Sequence, residues 1–156
     1  MNEVILFIDD ERFKQKAYVE ALQEDGFEVH FETSAELGVE LLSNHHADYC
    51  CAVIDVMMFP PPKEWEDLTV GGQFTGIELI ARVGVTIIEL PILLLSNKAT
   101  GDVKARLSKE LANIRDELVV DFRHKIETRS DELPLIVRSL IRKHQRRRNP
   151  PSATGA

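Results

Sequence analysis

The 156-residue chain has no disulfide framework to draw on, because its only two cysteines, Cys50 and Cys51, are adjacent. Neighbours in a strand point to opposite faces and cannot readily pair, which excludes a cystine-stapled secreted scaffold. Buried free thiols in a reducing compartment are expected. No apolar run approaches the roughly 18–20 residues needed to span a bilayer. The opening Met1-Asn2-Glu3 leads into a strand-like segment and not into a basic, apolar signal, so a cytoplasmic protein with no membrane partner is expected. Basic charge is scarce over most of the length. Residues 142–156 hold five basic side chains and no acidic one, which leaves the preceding 141 residues with 14 basic against 26 acidic groups, a net of −12. An acidic body repels phosphodiester backbones, and nucleic acid is therefore not an expected partner.

What the chain does have is a set of short apolar runs that end in polar residues. Cys50-Cys51-Ala52-Val53-Ile54 is apolar without alternation, as suits a strand covered on both faces, and Asp55 ends it. Glu3–Asp10 repeats the pattern and ends in two carboxylates, Asp9 and Asp10. Between them the spacing of Phe13, Ala17, Ala21 and Leu22 predicts a helix from Glu11 to Asp25, with Gly26 as its cap. Phe27–Phe31 then alternates like an edge strand. Thr33 or Ser34 can cap a second helix carrying Leu37, Leu41 and Leu42.

The stretch from Phe59 to Thr75 breaks this rhythm with three consecutive prolines, a lone Trp65 and Gly71-Gly72, and reads as a long loop on the functional rim. Gly76–Arg82 resumes a helix with Ile77, Ile80 and Ala81 inward. Pro91–Leu95 predicts a fourth strand ended by Ser96, and Val103, Leu107, Leu111 and Ile114 mark the stripe of a fourth helix. Leu118–Phe122 predicts a fifth strand, closely followed by Lys125. A last helix is expected over about 131–144, with Leu133, Ile136, Val137 and Leu140 facing the sheet. Alternation of five strands with five helices predicts one α/β domain over residues 1–145, doubly wound around a five-stranded parallel sheet, with a disordered basic tail over 146–156. In the flavodoxin-like order 2-1-3-4-5, strands one and three meet at the switch point where such folds bind ligands.

That order gathers Asp9, Asp10 and Asp55 at one sheet edge. Crowded carboxylates either take up protons or recruit a cation, and an oxygen-only set suits magnesium. Alone, an aspartate or serine after a strand commonly starts the next turn, and a lysine there is commonly solvated. Acid pair, acid, hydroxyl and lysine, in that order at the ends of strands one, three, four and five, make a joint pattern that chance rarely arranges.

With these residues in hand, the chain closely resembles the receiver domain of two-component response regulators, including the chemotaxis regulator. The matching pieces are Phe7-Ile8-Asp9-Asp10-Glu11, Val53-Ile54-Asp55-Val56-Met57-Met58, Thr75-Gly76-Ile77-Glu78-Leu79-Ile80, Leu93-Leu94-Leu95-Ser96 and Asp121-Phe122-Arg123-His124-Lys125. The resemblance implies that Asp55 accepts a phosphoryl group from a phosphohistidine on a sensor histidine kinase or phosphotransfer protein. It implies Mg2+ held by Asp10, Asp55 and the Met57 carbonyl, with Asp9 acting through water. Ser96 and Lys125 would contact the phosphoryl oxygens, and Phe122 would be the switch aromatic. Output would pass through the face of the fourth helix, fifth strand and fifth helix to a partner protein, and the resemblance also admits a homodimer paired through the fourth helix and fifth strand. The chain would turn over nothing beyond its own phosphorylation and dephosphorylation, so it is not expected to be an enzyme.

Several residues depart from the family pattern. The loop after Asp55 is longer by roughly a dozen residues, and the Ser96–Lys125 segment by several. Asn97 replaces a smaller residue beside the site, where it could narrow access to Asp55 or bond the phosphoryl group. Ile126 stands where proline usually follows the lysine. Met57 and Lys98 occupy positions that tune phosphoryl lifetime. These departures keep open a phosphorylation-independent interaction module on the same fold. A phosphohydrolase is disfavoured, because Met57 stands where a second aspartate would act as general acid.

Overall fold

A computed structural model of the chain describes residues 3–84, 86–114 and 117–150. The five expected strands form one parallel sheet of β1 (Val4–Ile8), β2 (Glu28–Glu32), β3 (Cys51–Ile54), β4 (Ile92–Ser96) and β5 (Val120–His124), in the expected order β2-β1-β3-β4-β5. Alternate side chains divide between its two faces. Leu6, Ile8, Ala52, Ile54, Ile92 and Leu94 pack under α2 (Ala35–His45), α3 (Thr75–Val83) and α4 (Thr100–Glu110). Ile5, Phe7, Cys51, Val53, Leu93 and Leu95 pack under α1 (Lys16–Glu24) and α5 (Leu133–Arg148). Each such fully buried aliphatic side chain contributes about 1.5–3 kcal/mol, so both faces must be covered for the sheet to persist.

Three sequence expectations are corrected. The first helix does not begin at Glu11: a 3-10 turn over Arg12–Gln15 precedes α1, and the change of pitch rotates the inward stripe. Phe13 is consequently 92% exposed and Ala17 is exposed, while Tyr18, Val19 and Leu22 face the sheet. In α2 the buried positions are Ala35, Gly38 and Leu42, and Leu37 is outside; Ser34 is the cap, accepting from the Leu37 N–H at 3.2 Å. The third correction concerns the basic end. Helix α5 continues through Arg146, Arg147 and Arg148, which belong to the last helical turn and not to a disordered tail. His144 is buried on its inner face, Arg147 donates to the Leu118 carbonyl at 3.3 Å, and Arg148 pairs with Glu89 at 3.1 Å. Cations in a final turn also oppose the helix dipole favourably. Residues 151–156 of the expected tail lie outside the described residues.

Strand ends differ from expectation by one or two residues, most at β5, where Leu118 and Val119 are buried but precede the ladder that pairs Ile92 with Val120. The thiol of buried Cys51 is pushed up by burial, and that of half-buried Cys50 is pushed up to about 11 for the same reason. No described helix is long and apolar enough to cross a membrane.

The Phe59–Phe74 stretch is folded and not an open loop. A 3-10 turn at Lys63–Trp65 buries the indole in the core, with the Arg82 guanidinium 4.5 Å from its ring centre. Hydroxyls replace a regular ladder: Thr69 Oγ1 donates to the Trp65 carbonyl at 2.7 Å and accepts from the Gly72 N–H at 3.0 Å. Thr75 Oγ1 lies 2.9 Å from the Met58 carbonyl and 3.0 Å from that of Gly72, which closes the stretch onto its own base.

Candidate functional site

Because β1 and β3 are neighbours with Ile8 paired to Ile54, the residues that follow them emerge side by side. The Asp55 N–H donates to the Ile8 carbonyl at 2.9 Å and extends the ladder by one step. Asp9, Asp10 and Asp55 each present an oxygen within 4.8 Å of the others. Asp9 is completely buried, Asp55 nearly so, and Asp10 is partly exposed. A backbone N–H orients each carboxylate: Glu11 donates to Asp9 Oδ1 at 2.8 Å, Phe59 to Asp10 Oδ2 at 3.0 Å, and Met57 to Asp55 Oδ1 at 3.2 Å.

Lys125 closes the group from β5. Its Nζ donates to Asp9 Oδ2 at 2.8 Å and to Asp55 Oδ2 at 3.0 Å, bridging the two buried acids. The lysine backbone is fixed from two sides. Its N–H donates to the Ser96 carbonyl at 2.9 Å, and its carbonyl lies 2.9 Å from the Tyr18 hydroxyl. That hydroxyl is also 2.7 Å from the Thr128 carbonyl, so one proton serves two carbonyls of the β5–α5 connection.

Three carboxylates and one ammonium leave two negative charges in excess when all are ionised. Burial, reinforced by the charge of Asp55 and opposed by Lys125, pushes Asp9 up to about 6. Asp10 is raised as well, by burial first and by Asp9, against the Phe59 N–H. Burial alone would lower Lys125, but Asp55 and Asp9 outweigh it and hold its pKa above the ordinary value. The ammonium therefore keeps its charge, and Asp9 takes up a proton as pH falls through about 6. An all-oxygen donor set with an excess of two negative charges fits a hard divalent cation.

Ser96 ends β4, fully buried, with its Oγ accepting from the Lys98 N–H at 3.3 Å. Asn97 is exposed, and its carbonyl faces the His124 ring Nε2 at 3.1 Å. Phe122 packs partly buried against the core and lines a cleft of about 680 Å3 between α4, β5 and α5, together with Leu107, Leu111, Val120 and Ile136. The structure thus brings Asp9, Asp10, Asp55 and Lys125 into one cluster, with Ser96 tied to Lys125 through its backbone. Phe122 stands three residues back along β5.

No family model matches the chain, and no curated protein does. Solved structures do. A response regulator receiver domain protein from Methanospirillum hungatei is 14% identical, with a TM-score of 0.70 over 94% of this chain and 99% of its own. The signal receiver domain of an HD domain-containing protein from Pseudomonas fluorescens is 17% identical, with a TM-score of 0.69 over 96% of this chain and 94% of its own. A response regulator receiver protein from Sinorhizobium medicae is 19% identical, with a TM-score of 0.66 over 92% and 97%. The chain has the receiver-domain fold.

Two residues that position the site within this receiver fold were not singled out from sequence. A Cβ on Gly76 would sit 2.0 Å from the Asp55 carbonyl oxygen, and the Gly76 N–H donates to the Val56 carbonyl at 2.9 Å. Only glycine lets α3 start against the backbone of the acid. A glycine inside a helical pattern usually has such a packing reason, and that was the available signal. Tyr18, the second, offered only a polar tip within an apolar stripe.

Proposed function

We propose that the protein is a phosphoacceptor switch in which Asp55 takes a phosphoryl group from a phosphohistidine on a sensor histidine kinase or phosphotransfer protein. The observation that carries this reading is the Lys125 ammonium held between buried Asp9 and Asp55, with Asp10 beside them. Burying two acids and a lysine costs several kcal/mol per ion before their attraction is counted, and a module that only bound partners through its surface would have no use for the arrangement.

Asp10, Asp55 and the Met57 carbonyl would hold Mg2+, with Asp9 acting through water. The ion, when bound, supplies positive charge against the acids and the incoming phosphoryl oxygens. An oxygen of Asp55 attacks phosphorus in line, the new P–O bond forms as the P–N bond to the donor imidazole breaks, and the electron pair leaves with the imidazole nitrogen. Lys125 stabilises charge on the transferred oxygens, and the Met57 N–H keeps the Asp55 side chain oriented. Ser96 donates to a phosphoryl oxygen, Phe122 follows inward, and the α4–β5–α5 face changes for an output partner. Nothing is turned over apart from the protein's own acyl phosphate, so it is a switch and not an enzyme acting on outside substrates.

The test uses the purified chain, Mg2+ and a small phosphodonor such as acetyl phosphate, followed on phosphate-affinity gels. Wild type is expected to give a retarded band that Asp55→Asn and chelation both abolish. A band that persists in Asp55→Asn removes Asp55 as the acceptor.

A further inference from the structure

The Phe59–Phe74 stretch touches the site at both ends. At its start the Phe59 N–H holds Asp10 Oδ2. At its end the Phe74 ring lies between two cations, with Lys98 Nζ and the Arg106 guanidinium each 4.8 Å from its centre. Lys98 Nζ also donates to Gln73 Oε1 at 2.8 Å, and Arg106 donates to the Leu68 carbonyl. The backbone N–H of the same Lys98 holds the Ser96 hydroxyl. The stretch therefore grips the β4–α4 connection and α4, and the gripped lysine is two residues from the hydroxyl that the proposed switch must move.

We propose that the stretch is a brake on the switch: Gln73 and Phe74 are positioning residues that hold Lys98, and through it the Ser96 hydroxyl, in the unphosphorylated arrangement. The proposal rests on the phosphoacceptor reading. A Ser96 hydroxyl that shifts toward a phosphoryl group on Asp55 while still accepting from the Lys98 N–H carries that backbone along, and this movement draws Lys98 Nζ off Gln73 and Phe74. Contacts made in one state and lost in the other bias the equilibrium by their own free energy. The rigidity of the stretch, set by buried Trp65 and the Thr69 and Thr75 hydroxyls, makes its grip effective.

The test is the affinity for beryllofluoride with Mg2+, a phosphoryl mimic, measured by calorimetry on wild type, Gln73→Leu and Phe74→Leu, with urea stability measured alongside. Gln73 is exposed, so its variant keeps the fold even where Phe74→Leu weakens it. Both variants are expected to bind the mimic about threefold to tenfold more tightly while losing stability, because one cation–π contact or hydrogen bond is worth about that factor. A purely structural role would lower stability without tightening the mimic. Affinity within about twofold of wild type, or weaker, overturns the brake. A folded wild type that fails to bind the mimic overturns the phosphoacceptor reading itself, and that result is visible before any variant is made.

Discussion

Replacing Asp9 with asparagine should stabilise the folded protein at neutral pH and remove part of its pH dependence. The Asp9 carboxyl titrates near 3.8 when unfolded and near 6 when folded, chiefly because it is buried. Between those values the folded chain holds a proton that the unfolded chain has released, so stability falls as pH rises through the window, and the loss is complete above it. About two pH units correspond to about 3 kcal/mol, and Asp9→Asn, which keeps the volume and removes the charge, should recover about 2–3 kcal/mol at pH 7 and almost nothing at pH 4. Asp10 is raised in the same direction, partly by the charge of Asp9, so the substitution relieves Asp10 as well and its effect adds to the same trend. Urea unfolding at pH 4, 5, 6 and 7 in chelator is the assay, and with a slope of about 1–3 kcal/mol per molar the midpoints should separate by about 1 M at pH 7. Adding Mg2+ at pH 7 should narrow the gap, since the cation stabilises the ionised cluster of wild type. Parallel curves for the two proteins from pH 4 to 7 would refute the assignment of a strained charge to Asp9.

Two further substitutions probe the surroundings. Lys125→Met strips the shared counter-charge from Asp9 and Asp55 and should cost about 3–5 kcal/mol at pH 7. The cost should shrink at pH 5, where Asp9 accepts a proton; equal losses at both pH values in urea titrations would contradict the bridge. Gly76→Ala forces a methyl to within 2.0 Å of the Asp55 carbonyl oxygen, and backbone must move to admit it. A loss of about 3 kcal/mol or more is expected, and a thermal midpoint equal to that of wild type would count against the close approach.

Much of this architecture could be read in advance, for a specific reason. Strands buried on both faces need apolar residues at consecutive positions, so Ile5–Ile8, Ala52–Ile54 and Ile92–Leu95 stand out without any periodicity argument. The acids, serine and lysine interrupt or follow those runs at the carboxyl edge, which is why the candidate cluster was legible before its geometry was known. The phase of α1 was not, because Phe13 and Ala17 fit a helical stripe and only the intervening 3-10 turn swings them outward. The 59–74 stretch escaped for another reason: its order comes from buried Trp65 and from isolated backbone and hydroxyl hydrogen bonds, those of Thr69 and Thr75 among them, which leave no repeating pattern. Three consecutive arginines read as solvated, and their place in α5 depends on Leu118 and Glu89, distant acceptors that the local sequence does not announce.

The backbone around Asp55 is fastened before and after the residue, by the Asp55 N–H on Ile8 and the Gly76 N–H on Val56, with the Met58 N–H on Gly72 a step further. Across the cleft, the hydrogen bonds that reach Asn97 and Lys98 among the described residues each use a side-chain atom. The sheet edge is thus built like a vice with one jaw cast into the frame and the other on a screw. In the proposed switch travel would belong to the serine side, and a probe fixed near residue 55 would register little while one near residue 98 followed the whole stroke.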